Sequence, residues 1–239
     1  KNIKAVIFDM DGILLDTETI CDKTWQLALK DFNIVDNNDT INKCRGTNKT
    51  DTMLILKQYF GQDFDAETFL TKTSEYFHKI EFEQGIPLMP YAKEILEYLK
   101  EKNYRIALAS STRYESVKRQ LTNAGLIDFF ETITTGDMVT HSKPDPEIYQ
   151  KAIKSLNLKP EDCIAVEDSP NGIRSAFAAN LKVIMIPDKI QPTEEIKQKT
   201  VKIYKNLSAA RSNDAEVVAK AVAMAIGDEV ALQNYCGVE

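Results

Sequence analysis

The chain has 239 residues, 43% of them hydrophobic and 28% charged, with a formal net charge of -6. That length suits one large core, or one core carrying a smaller inserted unit. The acidic balance argues against general affinity for nucleic-acid backbone or anionic membrane, yet it leaves room for a local basic pocket and an anionic small molecule.

No stretch approaches the run of about 20 apolar residues that a membrane span needs. The opening KNIKAVIF leads straight into a strand and not a signal peptide, so a cytoplasmic address is expected. The four cysteines show no CxxC spacing, and His78 and His141 lie far apart, which speaks against zinc and for reduced, mostly buried thiols. A monomer is expected, with a small molecule as partner and neither nucleic acid nor membrane.

The first predicted strand, KAVIF at 4–8, runs into DMDG, where Asp9 and Asp11 flank one methionine. Two neighbouring carboxylates repel unless a cation or a proton neutralises one of them. The pair is either a structural Asp-Gly turn or a metal or catalytic site, and the stretch alone leaves both open.

Residues 17–86 read as consecutive helices in ETICDKTWQLALKDF, KTDTMLILKQYF and AETFLTKTSEYFHKIEF, with apolar residues three and four apart. They are expected to form a helical insertion after the first strand, with QGIPLMP at 84–90 as the return linker.

Further apolar, β-branched runs lie at 104–109, 163–167 and 182–186, with a weaker one at 131–135. Between them come helical patterns with start signals: Ser111 or Thr112 before RYESVKRQLTNA, Asp145-Pro146 before EIYQKAIKSL, and Ser169-Pro170 before NGIRSAFAAN. Strands alternating with helices predict an α/β domain, a doubly wound parallel sheet covered on both faces, built from 1–16 and 87–239. A further amphipathic helix is expected at 214–226, followed by a loosely held tail.

Ligands of such sheets sit beyond the carboxyl ends of the strands. There the sequence places Asp9 and Asp11, then Ser110 and Ser111, then Lys143 in SKPDP, then Glu167 and Asp168. Each group alone passes for a turn, a cap or a solvated surface charge. Together they supply acids for a hard cation, a hydroxyl with adjacent N–H groups for phosphate oxygens, and one ammonium, which suits phosphoryl transfer. Asp9 would be the nucleophile and Asp11 the general acid, its pKa raised by its neighbour, while Lys143 neutralises the nucleophile and phosphate oxygens and Ser110 with the Ser111 amide holds the transferring group.

The motifs DMDG, LASST, SKPDP and VEDSPNGI, in that order, resemble the haloacid dehalogenase-like (HAD) superfamily over about residues 1–187. DMDGILLDTE, the helical insertion and EDSPNGI together are similar to its β-phosphoglucomutase-like branch. The resemblance implies a Rossmann-like core, a small helical cap at 17–86, and Mg²⁺ held by Asp9, Asp168 and the Asp11 carbonyl, with Glu167 as a further candidate ligand. It implies Asp9 as the aspartyl-phosphate residue and Asp11 as acid and base, and Asp11 points away from dehalogenation. CRGTNKTD at 44–51 corresponds to the branch's specificity loop, making Arg45 and Lys49, with Lys72, candidate substrate contacts. The branch's mutases carry a histidine in the first cap helix where this chain has Cys21, which favours hydrolysis over isomerisation.

The expected function is a Mg²⁺-dependent phosphomonoesterase acting on a small phosphorylated metabolite, with a hexose phosphate mutase as the alternative. A phospho-accepting regulatory module is the third reading, because such modules also combine acids, a hydroxyl and a lysine on a parallel sheet.

Overall fold

The computed structural model describes residues 3–45 and 47–203; the helix expected at 214–226 and the tail after it lie outside the described residues. Of the described residues, those up to Leu15 together with those from Pro87 to Ile203 make one compact unit, and Asp16–Ile86 make the other.

Among the described residues the first unit is built on six parallel strands: β1 (Ala5–Phe8), β2 (Arg105–Ser110), β3 (Thr132–Thr135), β4 (Cys163–Glu167), β5 (Lys182–Met185) and β6 (Lys202–Ile203). Their order is β3-β2-β1-β4-β5-β6. Every residue of β1 and β4 is buried, as the continuous apolar runs require in a sheet covered on both faces. Phe8 pairs with Leu108 on one side and Val166 on the other, so whatever follows each of these residues emerges at the same level.

The second unit is helical: α1 (Thr17–Asp31), α2 (Asp39–Cys44), α3 (Lys49–Phe60) and α4 (Ala66–Gln84). Asp16, Asn48 and Asp65 cap α1, α3 and α4 by accepting backbone N–H groups three residues on. Trp25, Ala28, Leu29, Leu56 and Phe69 form its core. The rings of Trp25 and Phe69 meet edge to face at 4.9 Å, and the Trp25 indole N–H donates to Thr40 Oγ1 at 3.1 Å.

Helices α5 (Ala92–Glu101), α6 (Tyr114–Asn123), α7 (Glu147–Ser155), α8 (Pro170–Ala178) and α9 (Glu194–Gln198) belong to the sheet unit. Ile148, Tyr149, Ala152 and Ile153 of α7 and Ile173 and Ala176 of α8 share one cluster with Ala107, Ala109 and Ala165 of the sheet. Each fully buried Ile here contributes about 1.5–3 kcal/mol. Helix α5 carries no start signal in the sequence, because its first turn follows Tyr91 in the left-handed region with no capping side chain. Its buried face, Ala92, Ile95, Leu96 and Leu99, nevertheless has helical spacing.

One expected cap is replaced. Helix α6 follows Arg113, with no hydroxyl cap from Ser111 or Thr112; instead Asp137 Oδ1 accepts the Tyr114 N–H at 2.9 Å. The Thr112 hydroxyl is engaged elsewhere, as described next.

Candidate active site

Chain order switches direction at β1, since β2 and β3 lie on one side of it and β4 to β6 on the other. A crevice opens beyond the strand ends at such a point. Asp9 stands there, its N–H donating to Val166 O at 3.0 Å, one step past the Phe8–Val166 pair. Glu167 ends β4 beside it and Asp168 follows.

The turn after Asp9 depends on Gly12, whose φ of +76° lies in the left-handed region. A Cβ at Gly12 would come within 2.2 Å of Asp168 Oδ2, so the missing side chain is also what admits that carboxylate. Gly12→Ala is expected to cost more than about 1 kcal/mol of stability through φ alone. Thermal melts of the variant against the parent will read this loss.

Lys143 links the strand ends. Its Nζ donates to Asp9 Oδ1 at 3.0 Å, Ala109 O at 3.0 Å and Glu167 Oε1 at 2.6 Å, giving each ammonium hydrogen an acceptor. All three side chains are withdrawn from water, with Lys143 8%, Asp9 12% and Glu167 0% exposed. The two carboxylates outweigh burial and hold the Lys143 ammonium pKa above its ordinary value.

Asp9 is pushed the other way from a usual carboxylate. Burial, with the Glu167 and Asp11 charges, raises it from 3.8 to about 8 against the pull of Lys143. Between those pH values the folded chain keeps a proton that the unfolded chain has released. The contribution of this group to stability is therefore full below about pH 4 and is lost as pH rises through about 8. In chelator, the melting temperature is expected to fall across that window, and Asp9→Asn should flatten the fall.

Asp9, Glu167 and Asp168 bring ligand oxygens within 4.8 Å of one another. Three carboxylates around one ammonium leave surplus negative charge for a neutralising partner to offset. The all-oxygen donor set fits a hard dication such as Mg²⁺. Glu167 is tied to protein through one oxygen, since its Oε1 accepts from both Lys143 and the Tyr149 hydroxyl.

On the β2 side, Ser110 is fully buried and its Oγ accepts the Thr112 N–H at 3.2 Å. Ser111 is exposed, and its carbonyl packs so closely on Gly136 that a Cβ there would lie 2.1 Å away. Thr112 Oγ1 donates to Asp11 Oδ2 at 3.0 Å. The contact joins the first and second motifs, and the sequence offers Thr112 only as a cap. Tyr149 is equally hidden in the sequence, where it passes for one more apolar position of α7. A tyrosine on a core face needs a polar partner, and that was the available signal.

The three candidate cations of the helical unit differ from one another. Arg45 is no open cation for a phosphate: its guanidinium is 9% exposed and paired with Glu18 and Asp22. It lines a cavity of about 370 Å³ together with Glu18, Cys21, Trp25, Phe77 and His78. Lys49 is exposed, with Glu67 at 3.4 Å, and Lys72 pairs with Glu75 at 3.4 Å on its own helix. Neither lysine is held in a fixed network.

A family model described as haloacid dehalogenase-like hydrolase matches residues 6–186. The chain belongs to that family. A phosphorylated carbohydrates phosphatase of Thermotoga maritima is 30% identical to this HAD chain over 76% of its length and 84% of the relative's. A β-phosphoglucomutase of Bacillus subtilis is 28% identical over 75% of this chain and 81% of its own. The crystal structure of a HAD family hydrolase from Deinococcus radiodurans, with bound phosphate and sodium, superposes with a TM-score of 0.72 at 24% identity, covering 90% of this chain and 96% of that one, and so shares the fold. The protein is a HAD-type phosphatase of the β-phosphoglucomutase-like branch.

Proposed function

We propose that the protein hydrolyses a small phosphorylated metabolite, a sugar phosphate, with Mg²⁺ as cofactor and an aspartyl-phosphate on Asp9 as intermediate. The observation that carries this reading is the buried Lys143 bridge between Asp9 and Glu167, set beside Asp168 at the sheet's switch point. The phosphatase named for phosphorylated carbohydrates supports the substrate class.

Asp9 and Asp168, with the Asp11 carbonyl, would hold the ion. When bound it neutralises phosphate and carboxylate charge and keeps Asp9 ionised. An Asp9 carboxylate oxygen attacks phosphorus and forms the new P–O bond as the ester P–O bond breaks. Asp11 gives its proton to the departing alkoxide. Asp11 then takes a proton from water, whose oxygen attacks phosphorus and releases phosphate, restoring Asp9. Through both halves Lys143 offsets the charge at Asp9, and the Ser110–Thr112 turn positions the phosphoryl oxygens. Thr112 orients the carboxyl of Asp11 that carries the proton.

In this reading the helical unit Asp16–Ile86 is the cap that selects the leaving group, and the enzyme works as a cytoplasmic monomer. Cys21, standing where the branch's mutases carry histidine, supports hydrolysis over isomerisation. Against a panel of phosphate esters, phosphate release from at least one sugar phosphate is expected with Mg²⁺, lost in EDTA and restored by the ion. No release from any ester, with Asp9→Asn indistinguishable from the parent, overturns the reading. Isomerised sugar phosphate outpacing free phosphate, with a need for a bisphosphate activator, would mark a mutase instead.

A further inference from the structure

We propose that Tyr149 is a positioning residue for the Lys143–Asp9 pair and acts through Glu167. The inference rests on the phosphatase reading above and adds to its machinery a side chain that never touches substrate.

Tyr149 enters on the buried face of α7, among the small residues Ala107, Ala109 and Ala165, and is 0% exposed. Phenylalanine would fill the same space, so packing accounts for the ring and not for the hydroxyl. A buried hydroxyl without an acceptor costs about 1–3 kcal/mol. This one donates to Glu167 Oε1 at 2.6 Å, the oxygen that also accepts from Lys143 Nζ at 2.6 Å. The Tyr149 ring lies 5.1 Å from the same Nζ, so its π face bears on the ammonium as well.

The Glu167 carboxyl is confined on its other flank. A Cβ at Gly172 would come within 2.1 Å of its Cδ and Oε2, so the α8 backbone closes that side. Glu167 is thus held between a hydroxyl, an ammonium and a glycine. Its fixed Oε1 in turn sets where Lys143 stands, and the longer 3.0 Å contact from Lys143 to Asp9 depends on that placement.

Removing the hydroxyl leaves Lys143 as the stronger of the remaining donors to Glu167, beyond the 3.5 Å contact from Ser169 Oγ to the other oxygen. The carboxylate then turns toward the ammonium and draws it from Asp9. Charge compensation at the attacking oxygen weakens, while the Ser110–Thr112 turn that positions the phosphoryl oxygens is untouched.

The test uses the full chain with Mg²⁺ and p-nitrophenyl phosphate. Tyr149→Phe is expected to lower kcat about 10-fold, the usual scale for a partner one shell out, with KM changed by less than about 2-fold. Inhibition by orthovanadate, a mimic of the transferring phosphoryl group, should weaken by a similar factor. In a Glu167→Gln background the same substitution should lower kcat by less than about 2-fold more, because residues acting as one unit are not additive. Wild-type kcat in Tyr149→Phe, an effect on KM alone, or full additivity with Glu167→Gln overturns the inference. A parent that releases phosphate neither from this ester nor from any of the panel overturns the phosphatase reading and this one with it; an active parent with an indifferent Tyr149→Phe overturns this one alone.

Discussion

Asp9→Asn is expected to cut phosphate release by about 10³-fold or more, the scale on which removal of a covalent nucleophile registers. The melting temperature in chelator, by contrast, should stay near that of the parent at neutral pH. Asparagine retains the shape of the carboxyl and an oxygen for Lys143, and it mimics the protonated state that burial already favours up to about pH 8. Loss of activity without loss of fold separates a nucleophile from a structural acid. With Asp9 a ligand of the proposed Mg²⁺ site, the ion should also raise the melting temperature less in this variant than in the parent. A variant with more than about a tenth of parental activity would remove Asp9 from the covalent role.

Lys143→Met should damage both fold and function. It strands Glu167, fully buried, and Asp9 without the ammonium that holds them together. Breaking a buried pair from one side costs about 3–5 kcal/mol. For a chain of this size each kcal/mol moves the melting temperature about 2–4 °C, so a fall of about 6–20 °C is expected. Glu167→Gln added to Lys143→Met should recover part of that fall by removing the stranded charge, while activity stays lost. A single variant that melts within a degree or two of the parent would mean that the ammonium is not what makes this acidic cluster tolerable.

Most of the sheet was legible because β1, β2, β4 and β5 are apolar runs, and because β1, β2 and β4 run straight into polar residues at their carboxyl ends. Asp9, Ser110, Glu167 and Asp168 stood out for that reason and Lys143 through its SKPDP setting, and the structure brings Lys143 to Asp9 and Glu167 at 3.0 and 2.6 Å and gathers Asp9, Glu167 and Asp168 within 4.8 Å. Contacts that join distant segments were not legible. Thr112 reads as a cap until Asp11, 101 residues away, claims its hydroxyl. Arg45 reads as an available cation until Glu18 and Asp22 close on it, because sequence reports that a residue is charged and not whether its partners have already been found. Helix α5 was hidden for the opposite reason: its burial pattern is strong, but it starts at a left-handed tyrosine instead of a capping side chain.

The central place of β1 has a bearing on how the chain comes into being. Among the described strands it is synthesised before its neighbours, yet its second neighbour, β4, begins only at Cys163. During translation one edge of this buried strand stays unpaired until β4 has been made, a state that invites association between nascent chains. Truncations ending before Cys163 should accordingly be recovered as aggregates, and chaperone dependence should drop sharply once β4 can close that edge.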